Sequence, residues 1–208
     1  MKALIISNGD LSDISLAKYF DDADIVICAD GGARHLFNED LVPDTIIGDL
    51  DSLDEEALNS FQKLGVNFEK YPTHKDKSDT ELAIEFAIDK GATDITLLGA
   101  TGSRMDHSLA NILILYRLVN QNINAVIVDS HNEMFITKSL LKLDNKDGHF
   151  VSVIPLTDSK VTLKGFEYDT NSVEFNFGST LGVSNIIKDE EGLIEIESGI
   201  CLVIRSRD

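Results

Sequence analysis

Along the first 130 residues, short runs of β-branched and apolar residues alternate with longer segments in which apolar positions recur at helical spacing. The short runs predict strands at 3–7, 25–29, 45–47, 67–71, 95–98 and 125–128. The longer segments predict helices at 12–20, 33–38, 53–64, 79–90 and 108–122. This alternation is typical of an α/β domain, a parallel sheet with helices on both faces.

Two of these helices carry a start signal, the capping box, in which a serine is followed three residues later by an acid. The pairs are Ser52 with Glu55 and Ser78 with Glu81. The serine oxygen and the acid satisfy backbone N–H groups that the first helical turn leaves free. We therefore expect helices to begin directly after Ser52 and Ser78.

The pattern changes after Asp129, where the helical spacing ends and runs of β character follow one another. These runs predict strands at 133–137, 149–155, 160–168, 172–177, 183–187 and 193–204. Polar and apolar residues alternate within them, and Asp-Gly, Phe-Gly and Glu-Gly dipeptides punctuate them, as in an antiparallel all-β domain. We expect two domains, 1–130 and 131–208, with the second forming the smaller all-β part.

The charge balance narrows the choice of ligands. The chain has 36 acidic and 18 basic residues, a formal charge of −18 at pH 7. Such a surface repels phosphate backbones and anionic lipids, so we expect neither nucleic-acid nor membrane binding. A small phosphorylated ligand remains compatible with this charge if a divalent cation accompanies it.

The remaining composition favours a cytoplasmic protein. No apolar run approaches the roughly 18–20 residues of a membrane span, and the apolar run at the N-terminus is too short for a signal-peptide core. The two cysteines, Cys28 and Cys201, lie in apolar β-like runs and form no Cys-x-x-Cys pair. We expect both to be buried thiols rather than a disulfide.

Polar segments follow four of the predicted strands in the first domain, at 30–33, 48–52, 74–79 and 99–107. The carboxyl ends of parallel strands meet at one edge of a sheet, and ligands of open α/β folds bind in the crevice there. The sequence therefore predicts that these segments share one functional rim.

Four aspartates of this rim are candidate ligands of a hard cation: Asp49, Asp51, Asp76 and Asp79. With no cysteine and few histidines nearby, the pattern favours Mg²⁺ or Mn²⁺ over zinc. Each acid also has an ordinary structural reading, Asp79 as a first-turn acid, Asp51 as a turn residue and the nearby Asp106 as a helix cap. Their shared position at one edge favours the metal reading for the group.

The segment after the fifth strand is a candidate phosphate-binding loop that runs into a helix. Its residues are Thr101, Gly102, Ser103 and Arg104. Glycines permit positive φ, successive backbone N–H groups near a helix start attract anions, and an arginine completes such a site.

Two further features of the rim leave alternatives open. Gly31 and Gly32 fit a ligand-binding turn, but close packing of a turn on the sheet explains them equally well. His107 is either a catalytic base or a helix-start histidine that packs locally.

Common catalytic motifs are missing from the sequence. There is no P-loop and no Gly-x-Gly-x-x-Gly, which argues against P-loop NTPases and ordinary dinucleotide dehydrogenases. Gly-x-Ser-x-Gly is also missing, and neither cysteine has an obvious base, which argues against covalent acyl transfer.

Taken in order, the rim motifs resemble those of the thiamine pyrophosphokinase family. They are Asp30-Gly31-Gly32-Ala33, Gly48-Asp49-Leu50-Asp51-Ser52, Lys75-Asp76-Lys77-Ser78-Asp79-Thr80-Glu81 and Gly99-Ala100-Thr101-Gly102-Ser103-Arg104-Met105-Asp106-His107. Leu163-Lys164-Gly165 and Gly182-Val183-Ser184-Asn185 extend the resemblance into the second domain. The resemblance implies a Rossmann-like nucleotide-binding domain at 1–130 and a β-sandwich substrate and dimerisation domain at 131–208.

It also implies an activity: pyrophosphate moves from ATP to the hydroxyl of thiamine, giving thiamine diphosphate and AMP, in a homodimer. By motif, Asp49, Asp51 and Asp79 resemble Mg²⁺ ligands with Asp76 beside them, and Arg104 resembles a phosphate contact. Four residues resemble those near thiamine or its attacking hydroxyl: Lys75, Asp106, Ser184 and Asn185.

Other readings of the same rim remain open. A pyrophosphokinase for another alcohol, such as a pterin, would keep the acids and change the β-domain pocket. A metal-dependent phosphohydrolase would cleave ATP with no organic acceptor, and a nucleotide-sensing module would bind Mg-ATP without turnover. For the transferase we hypothesise that Asp76 or Asp106 accepts the hydroxyl proton.

Overall fold

The computed structural model describes residues 1–71 and 76–208, in two compact units, Met1–Ser130 and His131–Asp208. Among the helices in these ranges, none has the length and apolar character needed to cross a membrane.

Unit 1 alternates strands and helices. Its strands are β1 Lys2–Ile6, β2 Ile25–Ala29, β3 Thr45–Gly48, β4 Asn67–Lys70, β5 Asp94–Leu98 and β6 Asn124–Val128. Its helices are α1 Leu16–Asp21, α2 Ala33–Asn38, α3 Glu55–Lys63, α4 Asp79–Asp89 and α5 Met105–Asn120. A single 3₁₀ turn, Asp30–Gly32, joins β2 to α2.

The strands of unit 1 pair in parallel in the order β4-β3-β2-β1-β5-β6. From β1 the chain builds the sheet outward through β2, β3 and β4, and then returns to the other side of β1 with β5. The strand order therefore reverses between β1 and β5, and ligands of open α/β sheets bind at the carboxyl end of such a switch point.

Helices cover both faces of this sheet. Leu4 and Ile6 of β1 belong to an apolar cluster that includes buried residues of α1, α2 and α3. The alternate positions Ala3 and Ile5 are equally buried, because successive side chains of a strand point to opposite faces. Helix α4 contacts β1, β2 and β3, and α5 contacts β6. The sequence prediction of an α/β unit with a parallel sheet is confirmed.

Unit 2 is a β-sandwich. Its strands are β7 Asn132–Thr137, β8 Leu140–Asp144, β9 Phe150–Pro155, β10 Ser159–Lys164, β11 Thr170–Phe175, β12 Glu191–Ser198 and β13 Cys201–Ser206. One antiparallel sheet has the order β7-β13-β9 and the other β11-β10-β12-β8. Apolar side chains from both sheets, among them Val153, Leu163, Phe175 and Val203, form its core. The predicted all-β fold of this part is confirmed.

Three predicted helix starts are wrong. The helix expected at 108–122 begins earlier, at Met105. The helix expected at 12–20 begins only at Leu16. The helix expected after Ser52 begins at Glu55, and its cap is Asp54, whose side chain accepts a hydrogen bond from the N–H of Ala57 at 2.8 Å. Aspartate is as good a cap as serine, so the local sequence offers two competing starts. The start at Ser78 is confirmed, because its hydroxyl accepts from the N–H of Glu81 at 3.2 Å.

The strand prediction is also corrected in unit 2. The segment 183–187 forms only isolated bridges, through Asn185 and Ile187. The run at 193–204 is two strands, because Gly199, with φ +87°, reverses the chain between β12 and β13. Strand β8 was not predicted, since its residues are mostly exposed and the apolar alternation is weak.

Candidate active site

A cleft of about 740 Å³ opens at the carboxyl ends of the strands in unit 1. It is lined by residues that follow β1, β2 and β5 and by the start of α4. Those residues include Ser7, Asn8, Asp30, Asp79, Thr101, Gly102, Ser103, Arg104 and His107. The cleft therefore lies at the β1/β5 switch point, where ligands of this architecture bind.

The loops after β1 and β5 are bound together by backbone contacts. The N–H of Gly9 donates to the carbonyl of Gly99 at 2.8 Å. Gly99 has φ +63°, and a Cβ at this position would collide with the carbonyl oxygen of Ser7. Only glycine allows the two loops to approach this closely, which fixes the floor of the cleft.

Gly31 and Gly32 pack against the same floor. Both are buried; a side chain on Gly32 would collide with the carbonyl of Ile6, and a Cβ on Gly31 would lie 2.7 Å from Nδ2 of Asn8. Of the two readings of this pair, the structure provides direct evidence for close packing of the turn.

The segment 99–104 between β5 and α5, here called the β5 loop, is held by hydrogen bonds at three successive residues. Ala100 accepts from the Asn111 amide at 2.7 Å, Thr101 donates to Asp129 at 3.0 Å, and the N–H of Gly102 donates to Ser108 Oγ at 3.0 Å. Gly102 and Ser103 are exposed above these contacts. The loop is thus an ordered element whose outer face is open to solvent.

Arg104 is the cation of this loop and is paired with Asp106. Its Nη2 lies 2.6 Å from Oδ2 and its Nε 3.3 Å from Oδ1 of that carboxylate. The hydrogen bonds from Arg104 lower the pKa of Asp106 to about 2. Conversely, the carboxylate raises the pKa of Arg104. Both side chains are largely exposed, so the guanidinium remains accessible to a further anion.

Three carboxylates meet beside the cleft. Asp30, Asp49 and Asp51 each offer an oxygen within 4.8 Å of the others. The N–H of Asp51 donates to Asp49 Oδ1 at 3.3 Å. The side-chain hydrogen bond with Asp49 and the charge of that residue raise the pKa of Asp51. Mutual repulsion of this kind is relieved by a cation between the groups.

Asp30 connects this carboxylate group to the cleft. Its Oδ1 is buried and has no hydrogen-bond partner within residues 1–71 and 76–208, and its backbone has φ +45°. Asp79 lies close by: a Cβ on Gly48 would be 3.0 Å from the Asp30 Cβ and 3.1 Å from Asp79 Oδ1. A buried carboxylate oxygen without a donor, within a set of hard oxygen ligands, fits Mg²⁺.

Three further residues were predicted for the rim. Asp76 is exposed in the bend before Ser78, and His107 is exposed at the start of α5 and lines the cleft. Lys75 lies outside the described residues. Asp30 and Asn8 were missed as site residues. Only their positions in the sequence could have indicated them: Asp30 directly follows β2, and Asn8 lies shortly after β1 at the same edge of the sheet.

Family models match both units. The model described as thiamin pyrophosphokinase, catalytic domain, matches residues 16–127, and the model described as thiamin pyrophosphokinase, vitamin B1 binding domain, matches residues 138–201. The chain belongs to the thiamine pyrophosphokinase family. This confirms the resemblance found in the sequence motifs, and it makes the chain an enzyme, a thiamine diphosphokinase.

Individual members of the family agree with this assignment. The chain is 32% identical over 197 residues to thiamine pyrophosphokinase of Bacillus subtilis, covering 93% of this chain and 92% of that protein. A crystal structure of the Bacillus subtilis enzyme matches with a TM-score of 0.91 and 28% identity over the full length of both chains. The enzyme from Geobacillus thermodenitrificans gives a TM-score of 0.86 and 29% identity, covering 100% of this chain and 98% of that one.

Ser184 and Asn185 lie within the part that matches the vitamin B1 binding model of the thiamine pyrophosphokinase family. Ser184 is exposed and has φ +61°. Asn185 is buried, and its amide bonds the backbone of Tyr168 in both directions, at 3.1 and 2.8 Å. The Asn185 side chain therefore braces the loop that carries Tyr168, and Ser184 is the exposed member of the pair.

Proposed function

We propose that the acidic cleft of unit 1 is the site at which this chain transfers pyrophosphate from ATP to the hydroxyl of thiamine, giving thiamine diphosphate and AMP. The observation that supports the location is the convergence of Asp30, Asp49 and Asp51 at the edge of a cleft that contains Asp79 and Arg104. Transfer of phosphoryl groups needs little covalent chemistry from a protein, because alignment of the reactants and neutralisation of charge supply most of the rate.

Mg²⁺ is the proposed metal, held by Asp49, Asp51 and Asp79, with Asp30 beside them. When bound, Mg²⁺ neutralises phosphate charge and fixes the position of the triphosphate oxygens. Without a cation these acids repel one another, as the raised pKa of Asp51 indicates, so binding of a cation among them is favourable. The buried Oδ1 of Asp30 has no hydrogen-bond donor among the described residues, so a bound cation would offset the cost of its burial.

The β5 loop and Arg104 are the proposed contacts of the phosphates. Thr101, Gly102 and Ser103 lie at the mouth of the cleft just before α5. The guanidinium of Arg104 is already oriented by Asp106, so little ordering is needed when an anion arrives. An arginine fork matches the geometry of phosphate oxygens and binds them in a bidentate manner.

Asp76 is the proposed acceptor of the hydroxyl proton. Lys75, which lies outside the described residues, and His107 are proposed to take part in substrate binding. Asp106 is a poor candidate for the proton acceptor, because Arg104 lowers its pKa to about 2. A carboxylate of such low pKa holds a proton poorly in the transition state. Asp106 is therefore proposed to orient Arg104, and the exposed Asp76 to face the alcohol.

A homodimer is the proposed active form, as the family resemblance implies, with thiamine between the cleft of one subunit and the sandwich of the other. In support, one face of α5 carries exposed apolar side chains at helical spacing: Met105, Leu109, Leu113 and Tyr116. The sandwich exposes apolar residues around Ser184: Tyr168, Phe177, Leu181, Val183 and Ile186. Apolar faces of this kind are typical of interaction surfaces.

The proposed location is the cytoplasm. Cys28 and Cys201 are free and buried thiols, and burial raises the pKa of both. Unpaired, unreactive cysteines are ordinary in a reducing compartment.

Chromatography of a reaction with ATP, Mg²⁺ and thiamine tests the proposal. We expect thiamine diphosphate and AMP to form in equal amounts. ADP with thiamine monophosphate would instead indicate a simple kinase, and ATP cleavage without an organic product a phosphohydrolase. Mg-ATP binding with no AMP under any acceptor would indicate a sensing module, and turnover with a pterin alcohol but not thiamine a different acceptor.

A further inference from the structure

The hydroxyl of Ser108 ties together the two ends of the segment 102–104. Ser108 is only 5% exposed, on the first turn of α5. Its Oγ accepts from the N–H of Gly102 at 3.0 Å and lies 3.1 Å from the carbonyl of Arg104 and 3.3 Å from that of Gly102. The hydroxyl accepts from the N–H of Gly102, and it donates its single proton to one carbonyl at a time, that of Arg104 or that of Gly102.

The earlier part of the β5 loop has other supports. Asn111 holds the carbonyl of Ala100, and Asp129 holds the hydroxyl of Thr101. At the other end, the side chain of Arg104, the N-cap residue of α5, makes no capping hydrogen bond within the described part of the chain, although the backbone N–H of Ser108 donates to the carbonyl of Arg104 at 3.1 Å. The Ser108 side chain therefore supplies a link that Asn111 and Asp129 do not provide.

We infer that Ser108 is a positioning residue for pyrophosphoryl transfer: its buried hydroxyl sets the place of the Arg104 backbone and of the Gly102 N–H relative to the cleft. This inference rests on the proposed function of the β5 loop as the phosphate contact. Ser108 acts through the loop rather than by bonding the substrate. Removal of the hydroxyl leaves the Gly102 N–H without its partner, so the segment 102–104 relaxes into another arrangement. A displacement of about 1 Å at a reacting centre costs on the order of 100-fold in rate.

Steady-state kinetics of full-length variants test the inference. For Ser108→Ala we expect kcat/KM for ATP to fall by about 10- to 100-fold. Ser108→Thr keeps the hydroxyl and is expected to stay within about threefold of the wild type. Ser159→Ala is the matched control, because Ser159 is also 5% exposed and its hydroxyl bonds the carbonyl of Thr157 at 2.7 Å in unit 2. It is expected to lose thermal stability to a similar extent and to keep kcat/KM within about twofold.

A double-mutant cycle with Arg104→Ala separates positioning from general destabilisation. If Ser108 acts through the loop, the Ser108→Ala loss shrinks to about threefold or less when Arg104 is already alanine. Equal losses in both backgrounds, or Ser108→Ala kinetics like those of Ser159→Ala, would overturn the inference while leaving the proposed function standing. A wild-type KM for ATP in Arg104→Ala would overturn the proposed role of the loop itself, and the inference with it.

Discussion

Arg104 and Asp106, two residues apart at the start of α5, form a two-point ion pair in which Nη2 and Nε of the arginine meet the two carboxylate oxygens. The pair lowers the pKa of Asp106 to about 2 from an ordinary value of 3.8. Because the pKa is lowered in the folded state, any stabilisation from the ion pair is present above the ordinary value and is lost as pH falls toward about 2. Asp106 is thus ionised throughout the neutral range.

Asp76→Asn and Asp106→Asn are expected to have different kinetic effects. Asp76→Asn should lower kcat by about 100-fold or more, because a proton acceptor is lost. Asp106→Asn should chiefly raise KM for ATP, by about tenfold, because Arg104 loses its orientation while the base remains. Initial rates over a range of ATP concentrations and pH separate the two. A larger loss of kcat in Asp106→Asn than in Asp76→Asn would reverse the assignment.

Asp51→Asn should remove turnover without unfolding the protein. Asp51 is exposed and repelled by Asp49, so the substitution relieves strain between like charges while it removes a metal ligand. We expect kcat/KM to fall by about 100-fold or more and the metal-free melting temperature to stay unchanged or rise. Asp89→Asn, the same charge change at the exposed end of α4, is the control and should keep full activity. Near-normal activity of Asp51→Asn would contradict the metal assignment.

Asp30→Asn should reduce the stabilisation that Mg²⁺ gives. The buried Oδ1 of Asp30 lacks a partner among the described residues, so the metal-free wild type carries the cost of desolvating it. Asparagine tolerates the φ of +45° at this position and keeps the shape. Thermal melts with and without Mg²⁺ should show a rise for the wild type and a smaller rise for the variant. Equal rises would exclude Asp30 from the metal site.

Ser78→Ala should affect both the stability and the activity of the chain. Ser78 caps α4, and the next residue is Asp79, so fraying of the first turn displaces that carboxylate. Loss of an N-cap costs about 1 kcal/mol, measurable by urea denaturation. We expect kcat/KM to fall alongside, and Ser78→Thr, which keeps the hydroxyl, to restore both. Full activity in a destabilised Ser78→Ala variant would contradict the proposed role of Asp79 in the site.

Leu109→Glu and Leu113→Glu should dissociate the proposed homodimer. Both side chains are about half exposed on the apolar face of α5. A charge at these positions therefore costs the monomer little stability, whereas burying the charge in a dimer interface would strongly disfavour association. Sedimentation of the wild type should give twice the chain mass and that of the double variant a single chain mass. A wild-type monomer, or a variant that remains dimeric, would contradict this surface as the interface.

The fold class and the family of this protein can be predicted from its sequence. The β-branched runs and helical spacing predict the α/β unit and its parallel sheet, because burial on both faces requires continuous apolar strands. The motifs around Asp49, Asp79 and Arg104 identify the family, which the matched models confirm. Helix starts are harder to predict, since serine and aspartate are both favourable caps, and at this helix the structure has Asp54 rather than Ser52 as the cap.

The sequence predicts a shared rim, and the tertiary structure decided which acids of that rim meet. Asp30 joins Asp49 and Asp51 because β2 and β3 are neighbours in the sheet, and no local feature marks it as a ligand. The same is true of Asn8, which faces the cleft because β1 is central, and of Ser108, whose hydroxyl turns back onto Gly102. Local sequence sets element type through backbone and burial preferences, whereas a site depends on distances between segments far apart in the chain, which only packing fixes.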